Sequence, residues 1–383
     1  MRSLAARRAV WLIGLVAVTL GLVAVVVRFG PTAALSLSLA APATDAWLAR
    51  VLPDPVREEI VIESGGRRLQ ADVYRPTAPR AAMLLVHGLS RAGRRHAELV
   101  RLAVLLARHG QLVLVPQFEG LVAFRLDGAE IDEIRGALAY LVARSAAVGV
   151  AGFSFGAGPT LLAAATYPDL SLVGSFGGYA DLRNVVTYVT TGVHSFGGER
   201  HVQRQEPYNR WKLLALLVGF VEIDVDRELL DAIARQKLDD PAADTASFET
   251  RLGRAGRAVL SLVRNREESA VAALLADLSP RTRDAMASLS PLPLVPRLRG
   301  RVLIAHGVAD DSIPFTESLR LAVAAGDHAQ LALLQTFHHT GAQPFGSSWL
   351  DRVGDAWRVT RLSHTLLTIG AAGAIVRRGG TRP

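Results

Sequence analysis

An apolar run that leads straight into Gly-x-Ser-x-Gly constrains this chain more than any other feature. Residues 148–151 predict a buried strand, the turn around Ser154 follows at once, and a helix-like run comes next at residues 160–166. This order favours a tight strand-to-helix turn in which the serine backbone is strained and its hydroxyl stands clear of the sheet. Glycines suit such a turn because two backbone segments pass close to each other there, which leaves no room for a Cβ. The pentapeptide also arises by chance in some chains, so its flanks carry the interpretation.

Composition limits the classes of protein to which this chain can belong. Its 383 residues can form one large domain or two modest ones. The net charge of +8 comes almost wholly from arginine, since Lys212 and Lys237 are the only lysines. The arginines are scattered rather than clustered with aromatic residues, so we expect no nucleic-acid partner. There is no cysteine, which excludes disulfides, thiol catalysis and cysteine metal sites.

The N-terminus carries a long apolar segment. Residues 9–27 hold no charge, and Thr19 is the only polar side chain among them. A helix over this run is about 28 Å long, close to the hydrocarbon thickness of a bilayer. Three arginines precede the run and Arg28 alone follows directly, which favours a cytoplasmic N-terminus. We predict a cytoplasmic segment over residues 1–8, a single transmembrane helix over 9–28, and an extracytoplasmic remainder at the cell membrane.

A cleavable signal peptide is the competing interpretation of this segment. The apolar region of a signal peptide usually spans about 7–15 residues and ends at a small-x-small site. The run here is longer, and the first plausible site, Ala-Pro-Ala at residues 41–43, lies well beyond it. We favour an uncleaved anchor followed by a linker over residues 29–55, and cleavage remains the alternative.

After the linker, strand-like and helix-like segments alternate. A hairpin comes first, with strands at 59–63 and 69–74 around a Gly-Gly turn. Continuous apolar runs then alternate with amphipathic stretches, which is typical of a mostly parallel, doubly wound α/β sheet covered on both faces. The predicted strands of this part lie at 83–86, 112–115, 148–151, 170–176, 302–305 and 331–334.

One interval breaks this alternation. Residues 190–296 show helical periodicity, many charges and no convincing buried strand, so we predict a helical cap insertion there. The core of the domain is then expected over residues 56–189 and 297–383.

A serine nucleophile needs partners, and their positions can be predicted. It requires a base, an acid that orients the base, and donors for the oxyanion that forms. In doubly wound sheets with such a serine, the chain order is Ser, then Asp or Glu, then His, each at the carboxyl end of a strand. Asp310 follows the strand at 302–305 and is our choice for the acid, with Asp311 and Asp181 as alternatives.

The base should follow the last predicted strand. That strand runs into His338-His339, and we favour His339 with His338 as the alternative. The oxyanion donors should be the backbone amides of Phe155, after the nucleophile, and Leu89, after the first buried strand. Two further histidines, His87 and His306, precede glycine at strand ends, and we interpret both as structural turn residues.

With these residues, the chain resembles the α/β-hydrolase superfamily over about residues 56–361. It looks most like the dienelactone hydrolase and prolyl-oligopeptidase-like branch, although a long insertion after the sixth strand is more typical of capped members elsewhere. A serine stands where dienelactone hydrolases often carry cysteine, which points to ordinary ester or related acyl hydrolysis. The residues that carry the match are His87-Gly88, Gly152-x-Ser154-x-Gly156, Asp310 before Ile313-Pro314, and His339.

The resemblance implies an α/β-hydrolase fold with a helical cap and, with the N-terminal helix, a membrane-anchored serine hydrolase of the carboxylic ester type. It implies that Ser154 attacks the acyl carbonyl, His339 takes the proton and Asp310 orients the imidazole. The amides of Leu89 and Phe155 would form the oxyanion hole. The expected substrate is a small-molecule or lipid-like acyl compound, and we expect the cap to line the pocket mouth.

Other functions stay open from sequence alone. An acyltransferase would use the same residues with an alcohol in place of water, and a non-catalytic, membrane-tethered binding protein could keep the same fold. We expect no metal and no cofactor. The adjacent residues His338 and His339 would project differently, and the turn around Ser154 lacks the Lys-Ser/Thr of a nucleotide-binding loop.

Overall fold

The computed structural model describes residues 2–64, 66–167, 169–337 and 348–369, and within these ranges it describes the side chains from Val18 onward except that of Leu22. Within this part of the chain, ten strands form one large sheet and one small hairpin. They are β1 (Val56–Ser64), β2 (Arg67–Arg75), β3 (Ala81–Val86), β4 (Gln111–Pro116), β5 (Val148–Phe153), β6 (Leu172–Phe176), β7 (Val193–Phe196), β8 (Glu199–Val202), β9 (Arg301–Gly307) and β10 (Ala329–Leu334).

The large sheet has the order β1-β2-β4-β3-β5-β6-β9-β10. Its first three strands pair antiparallel, and the strands from β4 to β10 pair parallel. The central strands are apolar and buried, as expected when helices cover both faces of a parallel sheet. The predicted mostly parallel, doubly wound sheet is therefore confirmed.

Helices cover both faces of this sheet. In chain order they are α1 (Arg2–Ala40), α2 (Asp45–Val51), α3 (Ala97–Arg108), α4 (Glu119–Val122), α5 (Ala129–Val142), α6 (Ala157–Ala164), α7 (Leu182–Thr191), α8 (Pro207–Val218), α9 (Asp224–Asp239), α10 (Ala246–Glu249), α11 (Arg254–Arg264), α12 (Val271–Asp277), α13 (Pro280–Ser288), α14 (Phe315–Ala325) and α15 (Trp349–Leu367).

Two separate cores lie on the two faces. Along β3, Leu84 and Val86 pack into one core and Met83 and Leu85 into the other, because neighbouring side chains of a strand point to opposite faces. The first core also contains α5, α6, α14 and the helices of the insertion, and we call this side the insertion face. The second contains α1, α3 and α15, and we call it the α1 face.

The segment predicted as a helical insertion, residues 190–296, is helical apart from one hairpin. Strands β7 and β8 are four residues each and turn at Gly197 and Gly198, both with positive φ (61° and 87°). Strands this short leave little periodicity in a sequence. The apolar faces of α8, α9 and α11 join the core of the insertion face.

The N-terminal helix continues much further than the predicted transmembrane span of residues 9–28. Residues 29–55, predicted as a linker, are helical over most of their length, through the end of α1 and through α2. Among the residues whose side chains are described, one helix, Val18–Ala40, is long and apolar enough to cross a membrane. The described side chains of residues 18–29 are exposed, whereas Leu35 is buried in the core of the α1 face.

Candidate active site

Ser154 stands in a strained turn between β5 and α6. Its φ of 51° lies in the left-handed region, which residues other than glycine rarely adopt. A Cβ on Gly156 would lie 2.1 Å from the carbonyl oxygen of His87, and one on Gly152 would lie 2.6 Å from the Cα of Ala157. Both contacts are too short, so the two glycines of the motif are required by chain packing.

The segment after β3 passes directly beside Ser154. A Cβ on Gly88 would lie 2.8 Å from the Cβ of Ser154, and Leu89 is the next residue. On the other side, Phe155 lies in the first turn after the serine, where backbone amides have no partner within the helix. The two segments that carry the predicted oxyanion donors therefore flank Ser154.

His87 fixes the turn that brings Gly88 to this place. Its Nδ1 lies 2.8 Å from the carbonyl oxygen of Gly88, and its Nε2 accepts a hydrogen bond from the Phe118 amide at 3.1 Å. Burial lowers the pKa of His87 to about 4, so the ring is neutral at pH 7 and Nδ1 donates to the carbonyl. With both ring nitrogens occupied, His87 acts as a structural residue.

Asp310 is held rigidly in the loop after β9. It is 2% exposed, and its Oδ1 accepts hydrogen bonds from the amides of Ser312 (2.8 Å) and Ile313 (2.9 Å). Its own carbonyl oxygen accepts a hydrogen bond from the Tyr188 hydroxyl at 2.6 Å. The carboxylate therefore has a fixed orientation, which an acid that orients a histidine needs.

His306 contacts this carboxylate. Its Nε2 lies 3.4 Å from Oδ2 of Asp310 and 2.9 Å from the Ile313 carbonyl oxygen, and its Nδ1 lies 2.7 Å from the Ser318 hydroxyl. The sequence interpretation of His306 as a turn residue did not anticipate its contact with the acid. The sequence did carry a signal for this contact, because His306 and Asp310 are four residues apart with a glycine and a tight turn between them.

The two alternative acids have other partners. Asp181 caps α7 by accepting a hydrogen bond from the Arg183 amide at 2.9 Å, and it pairs with the Arg183 side chain at 2.6 Å. Burial raises the pKa of Asp181, but these hydrogen bonds outweigh burial and lower it overall. Asp311 accepts a hydrogen bond from Asn209 through its carbonyl oxygen. Neither aspartate belongs to the described lining of the cavity at Ser154.

A cavity of about 330 Å³ joins Ser154 to Asp310. Its other walls are mostly apolar and come from the ends of the central strands and from α1, α3 and α15. In the described part of the chain, no residue of the insertion lines this cavity, so the expectation that the cap lines the pocket mouth is not met there. The physical reason is that the insertion packs onto the opposite face of the sheet and, through Gln203 and Asn209, onto the loop after β9.

The predicted bases, His338 and His339, lie outside the described residues. The described chain reaches the cavity at Phe337, which lines it and directly precedes them in sequence. Across the described ranges, no group of three or more histidine, aspartate or glutamate side chains is arranged to hold a metal ion.

Comparison with known proteins shows what this chain resembles. No protein-family model and no curated protein matches it. The structure of the α/β hydrolase GrgF from Penicillium sp. sh18 matches with a TM-score of 0.50 at 15% identity, over 83% of this chain and 99% of that one. The esterase domain of a Rhodothermus marinus protein matches with a TM-score of 0.42 at 16% identity, over 84% and 98%.

A puromycin-hydrolyzing peptidase from Mycobacterium tuberculosis matches with a TM-score of 0.48 at 18% identity, over 83% of this chain. The match covers 39% of the peptidase, so this chain corresponds to about two fifths of that protein. The likeness to GrgF shows that this chain has the α/β-hydrolase fold, as the motifs predicted. The branch within that fold stays a prediction.

Proposed function

We propose that this chain, which has the α/β-hydrolase fold, is a serine hydrolase that cleaves a carboxylic ester or related acyl bond. Ser154 is the nucleophile, His339 the base and Asp310 the acid that orients it. The observation that carries the proposal is the strained turn at Ser154, which opens into the same cavity as the buried, rigidly held Asp310. Strain of this kind persists where the surrounding structure enforces it and is common at active sites.

The proposed reaction has two halves. In the first, the Ser154 hydroxyl oxygen attacks the acyl carbonyl, and His339 takes its proton. The amides of Leu89 and Phe155 stabilise the tetrahedral oxyanion, and the alcohol leaves with the proton from His339. In the second half, His339 activates water, which attacks the acyl-enzyme and releases the carboxylic acid and Ser154. Asp310 stabilises the imidazolium in both halves.

Labelling by a fluorophosphonate tests this proposal, because the reagent bonds covalently to activated serines. The full-length protein should take up one label, located by mass spectrometry on the peptide that contains Ser154. Ser154→Ala should abolish the label and lower kcat for p-nitrophenyl acetate about 10⁴- to 10⁶-fold. Ser288→Ala, on α13, serves as the matched control. Near-normal turnover by Ser154→Ala would refute the assignment, and absence of labelling would favour the binding-protein alternative.

We further propose that the N-terminal part of α1 anchors the enzyme in the cell membrane, with the catalytic domain outside the cytoplasm. The exposed apolar side chains of residues 18–29 support this, because a soluble domain rarely exposes a continuous apolar helix. Replacing Leu20 and Val23 together by arginine should move the protein from the membrane to the soluble fraction, since each charge costs about 2.5–3.5 kcal/mol in a membrane helix. Unchanged membrane retention would contradict the proposal.

A further inference from the structure

The cavity at Ser154 lies on the α1 face of the sheet, since α1, α3 and α15 all contribute to its lining. Val359, Leu362 and Leu366 all line it, and their spacing places them on one side of α15. These three residues span about 10 Å along the helix axis. Leu366 is next to the start of β4, since the Gln111 side chain donates to its carbonyl oxygen at 2.5 Å. The strand residues that line the cavity all lie at the carboxyl ends of their strands.

Its walls suit an uncharged, aliphatic group. Phe153 and Phe176 stack with ring centroids 5.1 Å apart and form the wall on the sheet side. Leucines from α1, α3 and α15 form the opposite side, and a cavity of this size lies within the range of small-molecule sites. Two charged side chains of α3, Glu98 and Arg101, also line it, and they pair with each other at 3.5 Å. Arg101 is further engaged by Asp45, with Nε 2.6 Å from Oδ2.

Arg101 holds the end of α1 against this cavity. Besides Asp45, it donates a hydrogen bond to the carbonyl oxygen of Ser38 in the last turn of α1. One turn earlier, Leu35 is buried in the core of the α1 face. Leu39 directly follows Ser38, and these two contacts hold it as part of the cavity wall.

We propose that this cavity is the acyl subsite of the enzyme, that it takes aliphatic acyl chains, and that Leu39 at the end of the N-terminal helix limits the room for them. The inference rests on the proposed hydrolase function, because Ser154 must be the acylated residue. In a capped hydrolase the cap is expected to line the pocket, but here the insertion supplies none of the described lining of the proposed acyl subsite. The N-terminal helix then contributes to specificity.

The test uses p-nitrophenyl esters from acetate to dodecanoate with the full-length protein in detergent. For the unmodified enzyme, kcat/KM should rise about three- to fourfold for each methylene that the cavity accepts. Leu39→Trp should lower the ratio of kcat/KM for octanoate over acetate by about tenfold or more, because filling the cavity removes room for several methylenes. Leu37→Trp, on the exposed side of the same turn, is the matched control and should leave the ratio unchanged. If Leu39→Trp and Leu37→Trp had the same octanoate-to-acetate ratio of kcat/KM, the proposal would be overturned.

A second measurement does not depend on the folding of a variant. An octyl fluorophosphonate with a photoreactive diazirine at the end of its chain is attached to Ser154 of the unmodified protein and then irradiated. Cross-links to peptides of α1 or α15 support the subsite, and cross-links to residues 190–296 overturn it. Failure of the reagent to label Ser154 is a different result, because it refutes the proposed hydrolase function itself.

Discussion

The two faces of the sheet contribute to the site in different ways. On the insertion face, Tyr188, Gln203 and Asn209 donate hydrogen bonds to three successive backbone carbonyls of residues 309–311. On the α1 face, helices pack around an apolar cavity that opens at Ser154. Polar contacts thus fix the acid from one side, and apolar surfaces leave room for a substrate on the other.

This difference separates two kinds of mutational effect. Changes that disturb the acid should lower kcat equally for all esters, because every substrate needs the same imidazole orientation. Changes in the wall of the cavity should alter the preference among acyl chains, because they affect only the methylenes that reach that wall. Three further variants test how each face contributes.

Asp310→Asn should have the largest effect of the three. An asparagine keeps the shape of the side chain but holds the imidazole in the wrong tautomer, so kcat for p-nitrophenyl acetate should fall about 10⁴-fold. Asp311→Asn and Asp181→Asn are the matched controls, and each should lower kcat by less than about tenfold. The Asp311 carboxylate accepts a hydrogen bond from the Ser312 hydroxyl, and Asp181 caps α7, so neither orients the base. A larger loss in either control would move the role of the acid to that residue.

Leu35→Ala tests whether the end of α1 belongs to the folded domain. Leu35 is 0% exposed, so its truncation should lower the free energy of unfolding by about 2–5 kcal/mol. Leu37, two residues further on, is 50% exposed, and Leu37→Ala should change stability by no more than about 0.5 kcal/mol. Urea unfolding of the full-length variants in detergent measures both. If Leu35→Ala were as stable as Leu37→Ala, residues 29–40 would act as a tether, as their composition suggested.

The sequence predicted the sheet and the turn at Ser154 because both follow from local constraints. Continuous apolar runs can be buried only between two layers of helices, and Gly152 and Gly156 are required by contacts within a few residues of Ser154 or with the neighbouring strand. Asp310 could be selected over its neighbour from its place after β9, and the structure adds that it alone of the two lines the cavity.

The position of the cavity could not be predicted in the same way. The mixture of Pro, Ala, Ser and Thr with short apolar pieces in residues 29–55 indicated a linker. The helix continues nevertheless, because docking of Leu35 and Ser38 against the domain outweighs weak local propensity. A wall formed by Leu39 depends on that docking and on Arg101, about 60 residues further along the chain. Such long-range contacts leave no periodic pattern in a sequence.

Tyr188→Phe should have the smallest effect of the three changes. Burial raises the pKa of Tyr188, so its hydroxyl stays protonated and donates to the Asp310 carbonyl oxygen at 2.6 Å. Removing one buried hydrogen bond costs about 1 kcal/mol. If the whole loss acts on the orientation of Asp310, kcat should fall about fivefold. The loss should be equal for acetate and octanoate esters, because Tyr188 supports the acid from the insertion face. A changed octanoate-to-acetate ratio would show that the two faces are coupled, with the insertion face also shaping the acyl subsite.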